Sequence, residues 1–323
     1  MSTHMFLCVL TTTALLRSLP LQSGRATFSR ARAIVAADNG IRRNCDETFP
    51  PAELSTLRTD REEDCLIETR DFCTPTEGAV ILLRHGESSW NDENRFTGWH
   101  DVPLSARGEE QAAQAAETLL KEGICFDSVY VSTLKRTIKT AWLILEKLDD
   151  FTVPVKQSWR LNERNYGALT GLNKAETRDF LGDERFEEFR RQPPPIESDS
   201  CYNPARSPRF RSVPEDELPT GESFEDCQER VRPFWKEEIL PLAKAGRTVL
   251  VVSSKNLLRS LFVEITDIPT STLVNVDIPN GVPILFDPAT NTLRLLDGKG
   301  KLFLPTSESL TTEAEPALNA TAH

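Results

Sequence analysis

Three short runs rich in apolar and β-branched residues, each followed directly by polar residues, most strongly constrain how this chain can fold. They lie at 79–83, 126–131 and 249–252. Short continuous apolar runs are typical of parallel strands that are buried on both faces. Each run is followed by a helical segment, and two later strands are expected at 282–286 and 293–296. The pattern predicts an α/β fold of three layers, with a mostly parallel sheet flanked by helices.

The polar residues that follow these runs carry the chemistry. Arg84-His85-Gly86 follows the first run, Arg136 lies one turn into the helix after the second, and residues 254–256 follow the third. The carboxyl ends of parallel strands meet at one edge of a sheet, so we expect these residues to converge there. An imidazole can attack phosphorus, guanidinium groups can hold phosphoryl oxygens, and glycine permits close backbone approach. The arrangement therefore predicts a phosphoryl-transfer site.

Residues 82–105 read LLRHGESSWNDENRFTGWHDVPLS. This stretch resembles the histidine phosphatase superfamily and, within it, the cofactor-dependent (2,3-bisphosphoglycerate-dependent) phosphoglycerate mutases. The resemblance covers roughly 77–297, which we interpret as the catalytic domain, and it implies the phosphoglycerate mutase-like fold. Residues 159–167, WRLNERNYG, give the strongest match that is specific to the mutases. Residues 193–219 resemble the segment that covers the mutase site.

The resemblance implies roles for individual residues. The expected catalytic residues are a nucleophile, an acid/base residue, two phosphate-binding arginines and a hydroxyl donor: His85, Glu163, Arg84, Arg136 and Ser254. The expected substrate-binding residues come from six segments: Arg84, His85, Ser88, Asn91, Thr97, Gly98, Arg136, Glu163, Tyr166, Lys174, Arg190, Arg191, Lys255 and Asn256. Among these, a lysine and two arginines, Lys174, Arg190 and Arg191, are expected to bind the carboxylate and the distal phosphate of the substrate.

The chain departs from the family pattern at two positions. A second catalytic histidine followed by glycine is expected where this chain has Ser254-Lys255, although Asn256 and Arg259 match. Asn165 stands where the family usually has a histidine. The chain has four histidines, at positions 4, 85, 100 and 323. We expect His100 to be an exposed side chain rather than a substitute, and we hypothesise that Ser254 and Lys255 partly replace the missing imidazole.

The function implied by the resemblance is interconversion of 3-phosphoglycerate and 2-phosphoglycerate through a phosphohistidine, with 2,3-bisphosphoglycerate as the phosphoryl donor. Two alternatives stay open. One is a phosphatase acting on phosphoglycerate-type esters, and the other is a catalytically impaired phosphate-binding relative. The sequence contains no metal-ligand spacing, so we expect no metal. The expected partners are small phosphoglycerates, and the family implies a homodimer or homotetramer.

The formal net charge of −11 argues against general nucleic-acid binding, which favours a basic surface. Seven irregularly spaced cysteines, without a Cys-x-x-Cys pair, favour free thiols in a reducing compartment. Because the chain as a whole is negatively charged, an anionic ligand must be attracted by a local concentration of positive charge.

The two ends of the chain have a different composition from the middle. Residues 1–37 lack acidic residues before Asp38 and contain several arginines, which predicts an organellar targeting leader. The sequence does not distinguish a mitochondrial from a plastid signal, and a cytoplasmic location is expected if the leader is not a signal. Its apolar stretch is too short to span a membrane, so we expect no membrane association. Residues 38–76 are interpreted as a linker and 298–323 as a disordered tail.

Overall fold

The computed structural model describes residues 78–296, apart from positions 267, 274 and 275. Six strands form one sheet in the order β3-β2-β4-β1-β5-β6. The strands are β1 (Val80–Arg84), β2 (Ser128–Val131), β3 (Val155–Gln157), β4 (Val249–Ser253), β5 (Pro283–Asp287) and β6 (Thr292–Leu295). The pairs β1–β4, β2–β4 and β2–β3 are parallel, and β5 runs antiparallel to β1 and β6. The expectation of a mostly parallel α/β sheet is confirmed.

Helices connect the strands. Those of the described residues are α1 (Ser89–Asp92), α2 (Ala106–Lys121), α3 (Lys135–Lys147), α4 (Lys174–Leu181), α5 (Asp183–Arg191), α6 (Phe224–Phe234), α7 (Leu240–Lys244), α8 (Lys255–Ile265) and α9 (Thr270–Leu273). A π-helical turn, Trp235–Ile239, joins α6 to α7. Single 3₁₀ turns lie at Trp159–Leu161, Gly167–Leu169, Pro204–Arg206, Pro208–Phe210 and Glu215–Glu217.

Both faces of the sheet are covered because successive strand side chains point to opposite sides. On one face, Val80 and Leu82 pack with residues of α6 and α8. On the other face, Ile81 and Leu83 pack with residues of α2 and α3. These residues are 0 % exposed, so β1 is buried on both faces and the molecule has the three layers that the apolar runs predict.

Strand β3 is absent from the sequence-based expectations. It has three residues, all exposed, at the edge of the sheet. A strand with no buried face carries no apolar alternation that could reveal it. The predicted leader, linker and tail lie outside the described residues. None of the helices described between 78 and 296 is long and apolar enough to cross a membrane.

One of the described cysteines differs from the expectation of free thiols, and two agree with it. Cys125 takes part in a disulfide bond. Cys201 and Cys227 are free, the first exposed and the second buried. Burial raises the pKa of the Cys227 thiol to about 12, so this thiol stays protonated and unreactive at neutral pH.

Two glycines let the loop after β1 lie directly against the first turn of α2. A Cβ added to Gly86 would lie 2.0 Å from the Gly108 carbonyl oxygen, and one added to Gly108 would lie 2.0 Å from the Glu87 carbonyl oxygen. Neither glycine has a positive φ, so the requirement is steric rather than conformational. This backbone contact fixes where the chain leaves β1, and hence where His85 stands.

We expect Gly108→Ala to lower the free energy of unfolding. Alanine is better than glycine in a helix interior by about 1 kcal/mol, but inserting a methyl group into a packed contact costs about 1–3 kcal/mol. Because the added Cβ meets backbone atoms that cannot rotate away, the steric cost should exceed the propensity gain. Urea unfolding followed by circular dichroism measures the difference. Glu110→Ala, at an exposed position of the same helix, is the control and should leave stability nearly unchanged.

Candidate active site

His85 is fixed at the end of β1 by hydrogen bonds to its backbone. Its N–H donates to the Ser253 carbonyl on β4 at 2.9 Å, and its carbonyl accepts from Asn280 Nδ2 at 2.7 Å. The imidazole is buried, and its Nδ1 lies 2.6 Å from the Gly86 carbonyl oxygen. A carbonyl can only accept, so Nδ1 carries the ring proton and Nε2 keeps its lone pair.

The environment of the ring keeps it uncharged. Burial, reinforced by the positive charges of Arg136 and Arg84, lowers the pKa of His85 well below its usual value of 6.5. A neutral imidazole with a lone pair on Nε2 is the nucleophilic form. The ring is therefore held in the state that can attack an electrophilic atom.

Arg136 and Arg84 are held beside this ring by carbonyl groups. Arg136 donates from Nη2 to Gly98 at 2.8 Å and from Nη1 to His100 at 3.0 Å, while its Nε–H points at His85 Nε2 at 3.2 Å. Burial lowers the pKa of Arg136 to about 10, which still leaves it charged at neutral pH. Arg84 donates from Nη1 to the Ile278 carbonyl at 2.7 Å. Both guanidinium charges thus lie next to the nucleophile without being neutralised by these contacts.

Two buried donors that line the cavity beside His85, Arg84 Nε and Thr97 Oγ1, have no hydrogen-bond partner among the described residues. Ser254 Oγ has none there either, but it does not line this cavity. Leaving such an atom unpaired costs about 1–3 kcal/mol, so buried polar groups are normally satisfied. Unpaired donors beside two guanidinium groups are the arrangement expected of a site that an anion completes.

An inner cavity of about 30 Å³ adjoins the imidazole. Its lining combines the nucleophile, four cationic side chains, one carboxylate and three neutral polar residues: Arg84, His85, Asn91, Arg95, Thr97, Arg136, Glu163, Tyr166 and Lys174. Glu163 is 7 % exposed, and its Oε1 accepts from the Arg164 backbone N–H at 2.8 Å. The size of the cavity matches a single phosphoryl group, and its lining has more positive than negative side chains.

The inner cavity opens into an outer basin of about 560 Å³ that shares Arg84, Glu163 and Lys174 with it. The basin adds four further cations, Arg178, Arg190, Lys255 and Arg259. Asn256 also lines it, and its Nδ2 donates to the Tyr166 hydroxyl at 2.6 Å. The overall negative charge of the chain is therefore reversed locally over a volume much larger than one phosphoryl group.

Two expected substrate-binding residues support the cavity instead of lining it. Ser88 is the N-cap of α1, where its side chain and that of Asn91 cap the helix reciprocally. Gly98 offers its carbonyl to Arg136 and adopts a φ of 53°, which glycine reaches without strain. Arg191, in contrast, is exposed and lines a neighbouring depression with Arg164 and Phe224 rather than the basin.

Ser254 and Lys255 are placed differently from each other. Ser254 is fully buried at the N-cap of α8, directly after the residue that hydrogen-bonds His85, and its hydroxyl makes no capping hydrogen bond. Lys255 Nζ is ion-paired with Asp277 and lines the outer basin. The lysine charge therefore faces the outer basin. Ser254 follows Ser253, whose carbonyl accepts from the His85 N–H, but the Ser254 side chain lines neither cavity.

Asn165 and His100 lie outside both cavities. Asn165 is buried, donates from Nδ2 to the Pro219 carbonyl at 2.7 Å and accepts from Gly167 N–H at 2.9 Å. His100 is half-buried rather than exposed, and its ring stacks on Trp90 with centroids 4.5 Å apart. It lines a separate cavity of about 420 Å³ with Trp99 and residues of the 201–210 segment. The expectation that His100 is an exposed side chain is corrected accordingly.

Sequence reasoning gave no role to Arg95, Arg178 or Arg259, which the tertiary structure brings to the two cavities. Arg259 follows Lys255 by one helical turn, a spacing that places both on one face of α8. Arg95 and Arg178 have no comparable local signal. Between residues 78 and 296, no group of three or more His, Cys, Asp and Glu side chains in the described part is arranged to hold a metal ion.

The chain belongs to the histidine phosphatase superfamily (branch 1), whose sequence profile matches residues 80–296. The match extends from the first residue of β1 to the residue after β6, so it includes every strand of the sheet.

Solved structures share the fold at low identity. An Escherichia coli K-12 protein with an ascribed alpha-ribazole-5'-P phosphatase activity is 24 % identical with a TM-score of 0.51, covering 68 % of this chain and 94 % of its own. Mycobacterial hydrolase 1 is 23 % identical with a TM-score of 0.50, covering 64 % and 88 %. A Bacillus anthracis phosphoglycerate mutase is 23 % identical with a TM-score of 0.48, covering 66 % and 90 %. The first two establish a common fold and no more.

The lowered pKa of His85 predicts that this ring stays neutral well below pH 6.5. Because the unfolded chain takes up a proton near pH 6.5 and the folded ring does not, folding stability should fall as the pH drops below that value. The loss from this group approaches about 1.4 kcal/mol per pH unit. NMR titration of histidine Cε1–H, assigned with His85→Asn, measures the ring directly. A His85 midpoint at or above 6.5 would contradict the buried, neutral state.

The unpaired Thr97 hydroxyl predicts opposite effects on stability and on anion binding. Thr97→Val should leave the unfolding free energy unchanged or raise it by about 1 kcal/mol, because it removes an unsatisfied buried group. The Kd for inorganic phosphate should rise by roughly 10-fold, because a donor to the anion is lost. Calorimetric titration and urea unfolding measure the two quantities.

Ser128→Ala is the matched control for Thr97→Val. Ser128 Oγ is also buried and has no partner in the part of the chain that the structure describes, but Ser128 begins β2 and lines neither cavity. This variant should shift stability in the same direction and leave the Kd for phosphate unchanged. Equal phosphate affinity in Thr97→Val and the parent protein would show that this hydroxyl does not face the anion.

Proposed function

We propose that this protein is a 2,3-bisphosphoglycerate-dependent phosphoglycerate mutase, which interconverts 3-phosphoglycerate and 2-phosphoglycerate through a phosphohistidine at His85. The single observation that supports it most is the two-part cavity, a phosphoryl-sized inner cavity opening into a wider cationic basin. A phosphoglycerate carries a phosphate and a carboxylate, and the bisphosphorylated donor carries a further phosphate. Such ligands need positive charge at two separate places.

The proposed reaction begins with transfer to the imidazole. The Nε2 lone pair of His85 forms a bond to phosphorus while the ester P–O bond breaks, and the leaving oxygen receives a proton from Glu163. Arg84 and Arg136 hold the phosphoryl oxygens through charge-assisted hydrogen bonds. In the reverse step a hydroxyl of the bound monophosphoglycerate gives its proton to Glu163 and its oxygen attacks the phosphohistidine. Positioning and electrostatics supply most of the catalysis in transfers of this kind.

The outer basin would hold the parts of the substrate that do not react. Lys174 is common to both cavities, and burial lowers its pKa because the charged amine has lost contact with water. A substrate carboxylate or phosphate beside it would offset this loss. Arg190 is partly engaged by Glu187 at 3.1 Å, and Lys255 by Asp277. Replacing the carboxylate of either ion pair by a substrate anion costs little free energy, because such solvent-exposed pairs contribute only about 0–1 kcal/mol.

A phosphatase acting on phosphoglycerate-type esters is the second proposal, and Ser254 is the observation that favours it. A neutral hydroxyl stands where the family has a second catalytic histidine, and Lys255 is directed to Asp277. Losing one preorganised donor to the group in transfer costs about 10²–10³ in rate. A phosphohistidine whose return to the substrate is slowed by this factor would be exposed longer to water. If the rate of phosphoryl transfer fell further than this, the protein would bind phosphate without useful turnover, which is the third proposal.

Assembly and location remain proposals that rest on other grounds. A homodimer or homotetramer is proposed from the family resemblance. Delivery to a mitochondrion or plastid is proposed from the composition of 1–37, which lies outside the described residues. Small phosphoglycerates remain the proposed partners.

One assay separates the three functions. The full chain is incubated with 3-phosphoglycerate and a trace of 2,3-bisphosphoglycerate, and 2-phosphoglycerate and free phosphate are measured together. We expect 2-phosphoglycerate to exceed free phosphate. Glu163→Gln should lower its formation by about 10²–10⁴, the usual contribution of a general acid or base. His85→Ala should abolish both products and the labelling of the protein by a radioactive donor.

Each other outcome selects a different function. Free phosphate without the isomer would favour the phosphatase. Phosphate binding without either product would favour the impaired relative. Full isomerase turnover in His85→Ala, or a wild-type protein that no phosphorylated glycerate labels, would overturn the phosphohistidine mechanism.

A further inference from the structure

Arg230, on α6, is buried beneath the segment that carries Glu163 and binds its backbone at several points. Its Nη1 donates to the carbonyls of Trp159, Arg160 and Asn162 at 3.3, 2.8 and 3.2 Å. Its Nη2 donates to the Asn162 carbonyl at 3.2 Å and to the Glu163 carbonyl at 3.3 Å. One guanidinium group therefore gathers four carbonyls of a segment that has only one 3₁₀ turn to order it.

Glu222 fixes this guanidinium from the other side. The Arg230 Nε donates to Glu222 Oε1 at 2.6 Å and Nη2 donates to Oε2 at 2.9 Å, and both side chains are almost fully buried. The same Oε2 accepts from the Asn165 backbone N–H at 2.7 Å. The carboxylate thus holds the chain just beyond Glu163, while the arginine holds it just before.

Trp99 makes the shortest of these contacts with the Glu163 backbone. Its indole Nε1–H donates to the Glu163 carbonyl at 2.6 Å, and its ring lies 5.4 Å from the Arg230 guanidinium carbon in a cation–π contact. Neither Trp99 nor Arg230 lines the inner cavity or the outer basin. Two donors therefore hold the main chain of the acid/base residue without access to a substrate bound there.

We propose that Trp99 and Arg230 are positioning residues for the Glu163 carboxyl group. This inference rests on one part of the proposed function: the substrate is a phosphate ester, and its leaving oxygen must receive a proton from Glu163. A carboxyl group transfers a proton only within hydrogen-bond reach of that oxygen, and an error of about 1 Å can cost on the order of 10²-fold in rate. The side chain of Glu163 is directed by its own main chain, which these two donors hold.

The chemistry offers a way to separate positioning from general stability. When His85 Nε2 attacks phosphorus, an alkyl leaving oxygen needs the proton of Glu163, whereas p-nitrophenolate departs as a stable anion without one. Displacing the Glu163 carboxyl should therefore slow transfer from an alkyl ester and spare transfer from p-nitrophenyl phosphate. A loosened or partly unfolded site would slow both, because both require His85 and the arginines.

The test compares single-turnover phosphorylation of His85 by 2,3-bisphosphoglycerate and by p-nitrophenyl phosphate in the full chain. Trp99→Phe keeps an aromatic ring but removes the N–H donor, and it should slow the alkyl donor by roughly 10-fold, a part of the 10²–10⁴ that a general acid supplies. The p-nitrophenyl rate should stay within about 2-fold, since no proton is required. Arg230→Lys should show the same selectivity. In a Glu163→Gln background, neither substitution should slow the alkyl donor further.

Trp159→Phe is the matched control. Trp159 lies in the same aromatic cluster, with its ring centroid 6.0 Å from that of Trp99, and no hydrogen bond joins its indole to Glu163 within the described residues. This variant should leave both rates unchanged. If Arg230→Lys does not fold, Trp99→Phe alone decides the question.

The outcomes separate the two proposals. Equal slowing of both donors by Trp99→Phe, or equal losses in Trp99→Phe and Trp159→Phe, would overturn the positioning role while leaving the phosphohistidine function intact. A wild-type protein that neither donor labels at His85 would overturn both. Selective slowing of the alkyl donor that disappears in the Glu163→Gln background would establish the positioning role.

Discussion

The site depends on keeping a neutral imidazole buried between two charged guanidinium groups. Both arginines are held by main-chain carbonyls, of Gly98, His100 and Ile278, so their charges are fixed in place and stay available to an anion. Burying an excess of cations is costly, and the inner cavity sets four cationic side chains against the single carboxylate of Glu163. In the proposed function, a phosphoryl group would supply the negative charge and accept hydrogen bonds from Arg84 Nε and Thr97 Oγ1, which have no partner among the described residues.

The geometry of the sheet makes this arrangement possible. Strands β1 and β4 are parallel neighbours, and the His85 N–H bonds to the Ser253 carbonyl, so Ser254 follows at the same edge. The backbone contact at Gly86 holds the loop after β1 against α2. The buried side chains of Arg230 and Glu222 lie behind the loop that carries Glu163 and tie this loop to α6. The loops that carry His85 and Glu163 are thus tied to the sheet and to α6, which fixes the positions of both side chains, as a preorganised site requires.

Much of the site was predictable from the sequence, and the failures have physical causes. His85 and Arg136 follow apolar strands, and the carboxyl ends of parallel strands share one edge of a sheet. Their convergence can therefore be inferred from the sequence. Arg95 and Arg178 lie on a loop and a short helix whose direction is set by packing over the site. Lys255 was expected near the transferring group, but Asp277, 22 residues further along the chain, directs it to the outer basin. Pairings between distant residues leave no periodic signal in the sequence.

The alternation of strands and helices can be read from the amino-acid sequence, because short apolar runs are typical of parallel strands buried on both faces. The sequence also determined which residue types reach the carboxyl edge of the sheet. Packing between distant segments leaves the Ser254 hydroxyl without a partner among the described residues, stacks His100 on Trp90, and places Trp99 and Arg230 against the Glu163 carbonyl. These outcomes depend on distances of a few ångströms between segments far apart in the chain, which local patterns of hydrophobicity cannot specify.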